Sequence, residues 1–486
     1  MRKTKIICTI GPASSNKETI GKMIDAGMNV ARFNFSHSTH EEQKVLMDLV
    51  KETAREKGKP VGILLDTKGP EVRVGTFENG KMPIEKGDSF AFTKSADTET
   101  PCEKKINISY PRLIDEWYVT NDEAKRRFEN NKPHIILADD GNLEFSVMEI
   151  SKEYILCRAE RSGVLSNRKS LNFPDYDIDM MYLSLRDEDD IRFGLEEGIE
   201  YIAASFVRCA EDVKDVRKFV TRLGYTGVEI IAKIENQQGV DNLEEIIAVS
   251  DGVMVARGDM GVEIPYVKLP AIQKTIIRKC AERGKFVVTA TQMLESMITH
   301  ARPTRAEISD VANAVYDNTT CVMLSGESAA GMFPVESVAA LSGICREAEK
   351  NNQYKDRYEY KDRNAKYPYM SVICHAVQSI IPEINASAII AVSNGGTTIR
   401  ELSRFRPEIP ILAIVTHEEV YRTLSAYYGV VPLMGEQKDR ARDIIKQAKE
   451  KAIESGFVKK GDTVVILFDN DIESKNGTNT MSIETV

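Results

Sequence analysis

The sequence predicts an α/β fold: a parallel TIM-type (β/α)8 barrel with an inserted small β-barrel lid domain and a C-terminal open α/β sheet domain. Eight short apolar runs rich in β-branched residues recur along the chain, as expected for strands buried on both faces between crossover helices. Helical stretches separate most of these runs. The predicted strands are Lys5–Ile10, Val30–Phe35, Gly62–Thr67, Tyr201–Phe206, Glu229–Ile234, Gly252–Arg257, Phe286–Thr291 and Cys321–Gly326.

Helix boundaries can be predicted at several points between these strands. A serine or threonine followed three residues later by glutamate forms a capping box, and glycine tolerates the left-handed conformation that often ends a helix. The predicted helix starts are Ser15…Glu18, Thr39…Glu42 and Thr304…Glu307. The predicted helix ends are Gly27, Gly58, Gly198, Gly224 and Gly284.

The alternation stops after the third strand and resumes only with a helix near Asp187–Glu197. Between them, residues 71–174 contain extended segments separated by turns such as Asp139-Asp140-Gly141, which predicts an inserted β domain. An insertion at a βα loop lies over the C-terminal face of the barrel, where a lid belongs. The barrel is therefore assigned to residues 1–70 and 175–350. The extended segments are Val72–Phe77, Ser89–Lys94, Lys105–Tyr110, His134–Ala138, Leu143–Ile150 and Tyr154–Ala159.

Residues 351–486 form a third predicted part with a different alternation. A stretch rich in tyrosine, lysine and asparagine, 351–369, is interpreted as a linker. Beyond it, strand-like runs alternate with helical segments, which predicts a separate open α/β sheet. The runs are Ala388–Ser393, Ile411–Thr416, Val430–Met434, Thr463–Phe468 and Met481–Thr485, and the helical segments are Thr398–Arg404, Val420–Tyr427 and Asp439–Ser455.

The composition argues against several classes of function. The chain has 486 residues, 42% of them hydrophobic, and a net charge of −9, which disfavours a nucleic-acid-binding surface. Its eight cysteines show no C-x-x-C pair or zinc spacing, as expected for reduced thiols in a cytoplasm. No apolar stretch has the length of a signal-peptide core or of a membrane span. We therefore expect a cytoplasmic protein with neither nucleic acid nor membrane as a partner.

Polar residues at the ends of the predicted strands indicate where the functional site lies. Side chains alternate between the two faces of a strand. Lys233 and Glu235 therefore project to one side at the end of the fifth strand, and Arg32, Asn34 and Ser36 do the same at the end of the second. In a (β/α)8 barrel, the C-terminal ends of the strands carry the chemistry.

Asp259 follows the sixth predicted strand, one β/α unit after Glu235. Two carboxylates from neighbouring strand ends, with Lys233 between them, suit a hard divalent cation such as Mg²⁺. Gly258 lets bare backbone N–H groups approach an anion. With a lid above them, these groups indicate metal-assisted phosphoryl transfer. The alternative is a salt-bridge network that only closes the top of the barrel, although buried ion pairs stabilise proteins poorly.

The familiar phosphate-binding and catalytic motifs are absent from the sequence. The chain contains no G-x-x-x-x-G-K-[ST] loop, no G-x-G-x-x-G after a strand and no H-R-D-type catalytic loop. His40-Glu41 and His417-Glu418 do not complete a zinc motif. The functional prediction therefore depends on the strand ends alone.

Eight blocks of the sequence, taken in order, match one known family. The blocks are Thr4–Ser14, Asn29–His37, Leu64–Arg73, Lys233–Gly239, Ser250–Ile264, Ala290–Met297, Arg302–Ala314 and Met323–Gly331. Together they resemble the pyruvate kinase family over nearly the whole barrel. The resemblance implies transfer of the phosphoryl group of phosphoenolpyruvate to ADP, giving pyruvate and ATP, the final step of glycolysis. It also implies Mg²⁺ and K⁺ as cofactors and a homotetramer as the usual assembly.

Matching positions carry the family's catalytic roles onto this chain. By resemblance, Lys233 would stabilise the phosphoryl group in transfer, while Glu235 and Asp259 would hold Mg²⁺. Arg32 would bind the phosphate of phosphoenolpyruvate, and Thr291 would help to cradle its carboxylate. The substrate-binding set implied in this way is Arg32, Lys233, Gly258, Asp259 and Thr291. The proton donor to the enolate is left open between a side chain and a water relayed past Thr291.

The resemblance also implies a monovalent-cation site and a nucleotide site. Glu71 resembles the residue of the K⁺-dependent class, in which no lysine supplies the missing cation. The implied K⁺ ligands are Asn34, Ser36, Asp66 and Thr67, and the implied contacts to the ADP phosphates are His37, Arg73 and Lys169. The chain departs from the family pattern at Ser38, Ser170 and Asp175, where the family usually has glycine.

A second phosphate site is predicted in the C-terminal part. Residues 393–398 follow a strand and open a helix, so their N–H groups and hydroxyls could surround a phosphate at the positive helix end. A turn without a ligand is the alternative. The family often binds an activating sugar phosphate at this place, and Gly477-Thr478-Asn479-Thr480 resembles a neighbouring loop. The residues are Ser393, Asn394, Gly395, Gly396, Thr397 and Thr398.

Two other functions share part of this pattern. A barrel lyase can also hold an enolpyruvate with Mg²⁺ between a glutamate and an aspartate, but it needs neither Lys233 over a phosphoryl group nor a nucleotide lid. A catalytically silent sensor would use only the C-terminal phosphate site. Such a sensor predicts the loss of Lys233, Glu235 or Asp259, and all three are present.

Overall fold

Eight parallel strands close into a barrel. They are β1 (Lys5–Thr9), β2 (Val30–Asn34), β3 (Gly62–Asp66), β13 (Tyr201–Ala204), β14 (Glu229–Ile234), β15 (Gly252–Ala256), β16 (Phe286–Ala290) and β17 (Cys321–Leu324). Around the barrel they follow the order β1-β17-β16-β15-β14-β13-β3-β2. The barrel and its eight sequence-predicted strands are thus confirmed.

The structure is a computed structural model that describes residues 1–36, 38–119, 134–174, 176, 178–351, 367–470 and 478–486. His37, Asp175 and Gly477 lie outside the described residues, as does most of the stretch interpreted as a linker. The boundaries of the three predicted parts stay a prediction.

Helices surround the barrel, and their ends test the predicted boundaries. Thr39 and Thr304 form the expected capping boxes with Glu42 and Glu307. The predicted box at Ser15 is wrong, because Asn16 is the N-cap and its side chain accepts the Thr19 N–H. The five predicted end glycines all have positive φ. The helices are α1 (Lys17–Ala26), α2 (His40–Glu56), α4 (Leu185–Glu196), α5 (Ala210–Arg222), α6 (Gln237–Asp241), α7 (Leu243–Val249), α8 (Arg257–Glu263), α9 (Leu269–Glu282), α10 (Arg305–Tyr316), α11 (Gly326–Ala329) and α12 (Pro334–Lys350).

The insertion after β3 is built mainly from strands. A seven-stranded sheet has the order β4-β12-β8-β9-β10-β6-β7, and β5 and β11 form a separate pair. An isolated bridge between Val74 and Ile108 joins the two edges of the large sheet, so the sheet curls on itself as predicted for a small barrel. The elements are β4 (Val72–Arg73), β5 (Lys81–Ile84), β6 (Ser89–Thr93), β7 (Lys104–Asn107), α3 (Arg112–Val119), β8 (Ile135–Ala138), β9 (Leu143–Ile150), β10 (Tyr154–Ala159), β11 (Gly163–Ser166) and β12 (Ser170–Asn172).

The C-terminal part contains a five-stranded sheet in the order β20-β19-β18-β21-β22, with only the last strand antiparallel. Its five predicted strands and three predicted helical segments are confirmed. The linker interpretation is wrong at its end, because a helix that the sequence analysis did not predict begins at Pro368. The elements are α13 (Pro368–Glu383), β18 (Ala388–Val392), α14 (Thr397–Arg404), β19 (Ile411–Val415), α15 (Glu418–Thr423), β20 (Val430–Met434), α16 (Ala441–Glu454), β21 (Thr463–Phe468) and β22 (Thr480–Thr485). Short 3₁₀ turns span Pro12–Ser14, Tyr266–Lys268, Glu295–Ile298 and Leu424–Ala426.

The C-terminal part covers the N-terminal end of the barrel. Tyr201 and Phe286 point into the barrel from β13 and β16, and the ring of Tyr427 packs edge-on against Phe286 with centroids 5.5 Å apart. The Tyr201 hydroxyl donates a hydrogen bond to the carbonyl oxygen of Thr423. One apolar cluster therefore runs from the barrel interior into the C-terminal sheet. The C-terminal ends of the barrel strands face the lid instead.

None of the helices in the described part of the chain is long and apolar enough to cross a membrane. The eight cysteines are all free thiols, and six of them are buried, where burial raises their pKa values.

Candidate active site

Strand alternation places the polar strand ends inside the barrel. Four barrel strands, β2, β3, β13 and β14, carry apolar side chains that point into the barrel and belong to one apolar cluster. They are Val30, Leu64, Tyr201 with Ala203, and Ile231, respectively. The next inward-pointing side chain, two residues further along each strand, is polar. These side chains are Arg32, Asp66, Ser205 and Lys233, with Glu235 one step beyond Lys233. The C-terminal mouth of the barrel is therefore lined with charge.

Lys233 stands at the centre of this group. Its Nζ lies 3.0 Å from Asp66 Oδ1, 2.7 Å from Ser205 Oγ and 3.1 Å from Glu235 Oε1. Arg32 approaches the other oxygen of Asp66, with Nε 2.6 Å from Oδ2. Burial would lower the pKa of Lys233, but the Asp66 and Glu235 carboxylates raise it above its usual value. Lys233 is therefore a fixed ammonium group at any physiological pH.

Glu235 offers a carboxylate oxygen that the protein leaves partly unsatisfied. The Phe206 N–H donates to Oε2 at 2.6 Å, whereas Oε1 accepts no hydrogen bond from the described residues and only faces the Lys233 ammonium. Burial raises the pKa of Glu235, and the Lys233 ammonium opposes this shift by favouring the carboxylate. A divalent cation at Oε1 would supply the missing partner. The described residues contain no group of three or more His, Cys, Asp or Glu side chains that could hold a metal ion, so a cation held by Glu235 and Asp259 would take its remaining ligands from substrate or water.

Asp259 and Gly258 lie in the first turn of α8, directly after β15. The Gly258 N–H donates to Thr291 Oγ1 at 2.8 Å, which ties the end of β16 to the start of the helix. Thr291 has φ of 65°, a left-handed conformation that is unusual for a β-branched residue. Arg257 holds it there by donating to the Thr291 carbonyl oxygen at 2.6 Å. Such strain is typical of functional positions, where surrounding contacts maintain it.

A cavity of about 650 Å³ lies between the strand ends and the lid. From the barrel side it is lined by Arg32, Asn34, Ser36, Asp66, Thr67, Lys233 and Asp259, and from the lid side by Arg73, Lys169 and Asn172, among others. Lys233 and Asp259 both line this cavity, and Glu235 contacts Lys233. Glu235, Gly258 and Thr291 do not line the cavity surface themselves.

The residues implied as K⁺ ligands lie at the end of β2 and β3. Asn34 Oδ1 accepts the Ser36 N–H at 3.0 Å, and Thr67 Oγ1 accepts the Ser205 N–H at 3.1 Å. Arg32 and Lys233 hold both oxygens of Asp66 and keep its pKa below its usual value despite burial. The four side chains therefore lie at one edge of the cavity.

The two described residues implied as nucleotide contacts belong to the lid side. Arg73 donates to Glu71 Oε2 at 2.7 Å, and Lys169 Nζ lies 2.5 Å from Asp139 Oδ1. Asp139 and Asp140 both have positive φ within the predicted turn. Both cations are therefore held by carboxylates near the cavity.

Several residues of the site escaped the sequence analysis. Ser205 Oγ bridges Lys233 and Asp66, although the position falls at the end of a predicted strand and its inward direction follows from alternation. Arg208 donates to the carbonyl oxygens of Ile178 and Met180, where the chain returns from the lid to the barrel. Nothing in the local sequence indicates this last contact, because it joins segments about thirty residues apart.

A second cavity, of about 440 Å³, lies in the C-terminal part at the start of α14. Gly396 caps this helix with φ of 74°, and the hydroxyls of Thr398 and Thr478 are 2.6 Å apart. Lys438 also lines the cavity. Of the residues predicted for a phosphate site, the cavity is lined by Ser393, Asn394, Gly395, Thr397 and Thr398.

Comparisons with known proteins agree over the whole chain. The profile of the pyruvate kinase barrel domain matches residues 1–338, and that of the pyruvate kinase alpha/beta domain matches residues 371–484. Pyruvate kinases of Staphylococcus haemolyticus and Lactobacillus delbrueckii subsp. bulgaricus are each 41% identical to this chain, covering 100% of it and 81% of their own length. A crystal structure of a pyruvate kinase from Cryptosporidium parvum superposes with a TM-score of 0.87 at 35% identity, covering 100% of this chain and 96% of its own. The chain belongs to the pyruvate kinase family of phosphotransferases.

Proposed function

We propose that this chain catalyses the final step of glycolysis in the cytoplasm, transferring the phosphoryl group of phosphoenolpyruvate to ADP with Mg²⁺ and K⁺ as cofactors. The observation that carries the proposal is that Lys233 and Arg32 meet at the floor of one cavity beneath a lid, with a partly unsatisfied Glu235 in contact with Lys233. Two fixed cations and a buried carboxylate suit a phosphorylated acid better than a neutral substrate.

Glu235 and Asp259 would hold Mg²⁺, which when bound acts as a Lewis acid on substrate oxygens. The free oxygen of Glu235 and the position of Asp259 at the cavity surface support this assignment. The lyase alternative shares the two carboxylates. It leaves unexplained why Lys233 is held between three polar partners at the cavity floor.

The chain's own residues define the transfer step. Arg32 would bind the phosphate of phosphoenolpyruvate, and Lys233 would neutralise the charge on the phosphoryl group as its bond to the enol oxygen breaks and a bond to ADP forms. Gly258, Asp259 and Thr291 would hold the carboxylate end; the positive φ of Thr291 and its hydrogen bond from the Gly258 N–H support this assignment. The enolate then takes a proton at its terminal carbon to give pyruvate.

The cation and nucleotide assignments follow the same geometry. Asn34, Ser36, Asp66 and Thr67 would bind K⁺ at the cavity edge, and Arg73 and Lys169 would contact the ADP phosphates from the lid side. His37 would join them. Replacement of K⁺ by tetramethylammonium should reduce turnover strongly, because the latter is too large for a site of four oxygen ligands; undiminished turnover would contradict the K⁺ assignment.

The C-terminal cavity would bind a sugar phosphate that activates a homotetramer. The start of α14 at Thr397 and Thr398 lines this cavity together with Lys438, a combination that suits a phosphate group. Phosphoenolpyruvate saturation curves recorded with and without sugar phosphates test the effector, and sedimentation tests the assembly. Identical curves with every sugar phosphate would remove this part of the proposal.

One assay tests the central proposal. Pyruvate formation from phosphoenolpyruvate and ADP is followed in Mg²⁺ and K⁺ for the wild type and for Lys233→Met, whose unbranched side chain is one atom shorter and carries no charge. The variant should lose transfer while still binding phosphoenolpyruvate. Lys285→Met, a lysine that donates to the Ser250 carbonyl oxygen at the other end of the barrel, is the matched control and should keep its activity.

A further inference from the structure

One hydrogen bond joins the lid to the barrel helix that begins at Asp259. Asn172, the last residue of β12, donates from Nδ2 to Glu263 Oε1 at 2.8 Å. Asn172 is buried, and the backbone of the next residue, Phe173, lies close enough to the Glu263 carboxylate to favour its charged form. The lid turn at Gly141 lies beside Val262, the neighbour of Glu263. Two separate lid segments therefore rest on the last turn of α8.

Both ends of this contact lead into the candidate active site. Glu263 closes the seven-residue helix α8, and Asp259 lies one turn earlier on the same helix face. On the lid side, Asn172 follows Lys169 by three residues, so the position of Lys169 over the cavity depends on where β12 is held. Asn172 and Glu263 both line the cavity.

The stability of α8 does not explain Glu263. A carboxylate at the C-terminal end of a helix is opposed by the helix dipole, and a partly buried carboxylate also loses hydration. Burial raises the pKa of Glu263, and the Asn172 hydrogen bond and the Phe173 backbone oppose that shift. While the lid covers Glu263, the groups that favour its carboxylate thus come from the lid.

We propose that Asn172 and Glu263 are positioning residues that latch the lid onto α8, so that Lys169 faces the nucleotide phosphates above Asp259. The proposal rests on the proposed function for the roles of Lys169 and Asp259. The latch itself is a contact between lid and barrel. It acts on the nucleotide side of the site, since phosphoenolpyruvate is held by barrel residues.

Exchange of donor and acceptor tests the latch. Asn172→Asp places two carboxylates face to face and should raise the KM for ADP about tenfold, with the KM for phosphoenolpyruvate changed less than about twofold. Glu263→Gln keeps an acceptor oxygen and should have a small effect. The double variant Asn172→Asp with Glu263→Gln restores one hydrogen bond in the opposite direction, and its KM for ADP should return to within about threefold of the wild type.

Two further measurements separate the latch from general damage. Asn167→Asp is the matched control, because Asn167 accepts a hydrogen bond from the Phe77 N–H inside the lid and should leave the KM for ADP unchanged. Amide hydrogen exchange over 134–174 should be faster in Asn172→Asp than in the wild type and should be slowed again in the double variant.

The latch is overturned if Asn172→Asp leaves both the KM for ADP and the exchange rates at wild-type values, or if the double variant is no better than the single one. Failure of the proposed function looks different: the wild type itself would form no pyruvate from phosphoenolpyruvate and ADP, while the exchange rates would still report whether the latch exists.

Discussion

At the scale of single residues, the site is made by side chains that continue the inward row of each barrel strand. Asp66 is the shared acceptor, with one oxygen on Arg32 and the other on Lys233 and Ser205. The two cations would repel each other without it. The arrangement therefore holds two positive charges close together, as binding of an anionic substrate requires.

Ser205 is the residue whose contribution is easiest to isolate. Ser205→Ala removes the hydroxyl that contacts Lys233 Nζ at 2.7 Å but leaves the Asp66 and Glu235 contacts in place. We expect kcat/KM for phosphoenolpyruvate to fall about tenfold, since one hydrogen bond to a charged group is lost. Steady-state kinetics measure this. Ser250→Ala removes a buried hydroxyl bonded to Ile246 outside the site and should leave kcat/KM unchanged; equal losses in both variants would contradict the assignment.

Residue-level prediction from the sequence succeeded where strand alternation alone fixes direction. Lys233 and Glu235 were placed on one side of one strand, and the structure brings them within 3.1 Å of each other. Ser205 obeys the same rule but was overlooked because a serine at a strand end is chemically unremarkable. The contact between Asn172 and Glu263 has no local signal at all, because it depends on how two separate elements meet.

At the scale of elements, long buried strands and capped helices were predictable because their signals are local. The short lid strands β5, β11 and β12 were not, since β5 contains Pro83 and pairs only with β11, and β12 has three residues. Helix α13 was missed because its residues 370–381 are mostly apolar, so no polar face marks its period. Packing against α14, to which Ser371 and Cys374 donate hydrogen bonds, defines that helix instead.

The start of α1 gives a test of the corrected boundary. Asn16→Ala removes the side chain that accepts the Thr19 N–H at 2.9 Å and should lower the free energy of unfolding by about 1 kcal/mol. Ser15→Ala removes only an exposed hydroxyl that donates to the Pro12 carbonyl oxygen, so a change of a few tenths of a kcal/mol is expected. Urea unfolding measures the free energy of unfolding of both variants. A larger decrease in Ser15→Ala than in Asn16→Ala would indicate that Ser15 is the N-cap.

At the scale of the whole molecule, buried charges join the C-terminal part to the base of the barrel. Glu229, at the start of β14, accepts from Arg400 Nε at 2.8 Å and from the Tyr427 hydroxyl at 2.8 Å. Arg400 belongs to α14, whose first turn lines the C-terminal cavity. Glu229 begins β14, which leads to Lys233 and to Glu235 just beyond its end. The Arg400–Glu229 ion pair therefore joins the helix at the C-terminal cavity to the strand that leads to the active-site cavity.

Removal of the cation from this pair should be costly. Arg400→Met leaves the buried Glu229 carboxylate with only the tyrosine hydroxyl, so we expect destabilisation of about 3 kcal/mol. In the double variant Arg400→Met with Glu229→Gln neither side chain of the pair is charged, so most of the lost stability should be recovered. Thermal unfolding midpoints of the single and the double variant measure the two effects. If the double variant is as unstable as Arg400→Met, the cost comes from lost packing around the guanidinium rather than from the stranded charge.

The same interface makes stability depend on pH through Glu200. Burial raises the pKa of Glu200 from the ordinary 4.5 to about 7, although Arg422 at 2.6 Å and the Ile63 N–H at 2.7 Å oppose the shift. Between these two values the folded protein keeps a proton that the unfolded chain has released, so this group's contribution to stability falls as the pH rises and is constant above about 7. The full change corresponds to about 3 kcal/mol. Glutamine cannot titrate in the Glu200→Gln variant. The thermal unfolding midpoint of the wild type should therefore decline relative to that of the variant between pH 5 and pH 8. A difference between the two midpoints that stays constant, or shifts in favour of the wild type, would show that Glu200 is already ionised in the folded protein at pH 5.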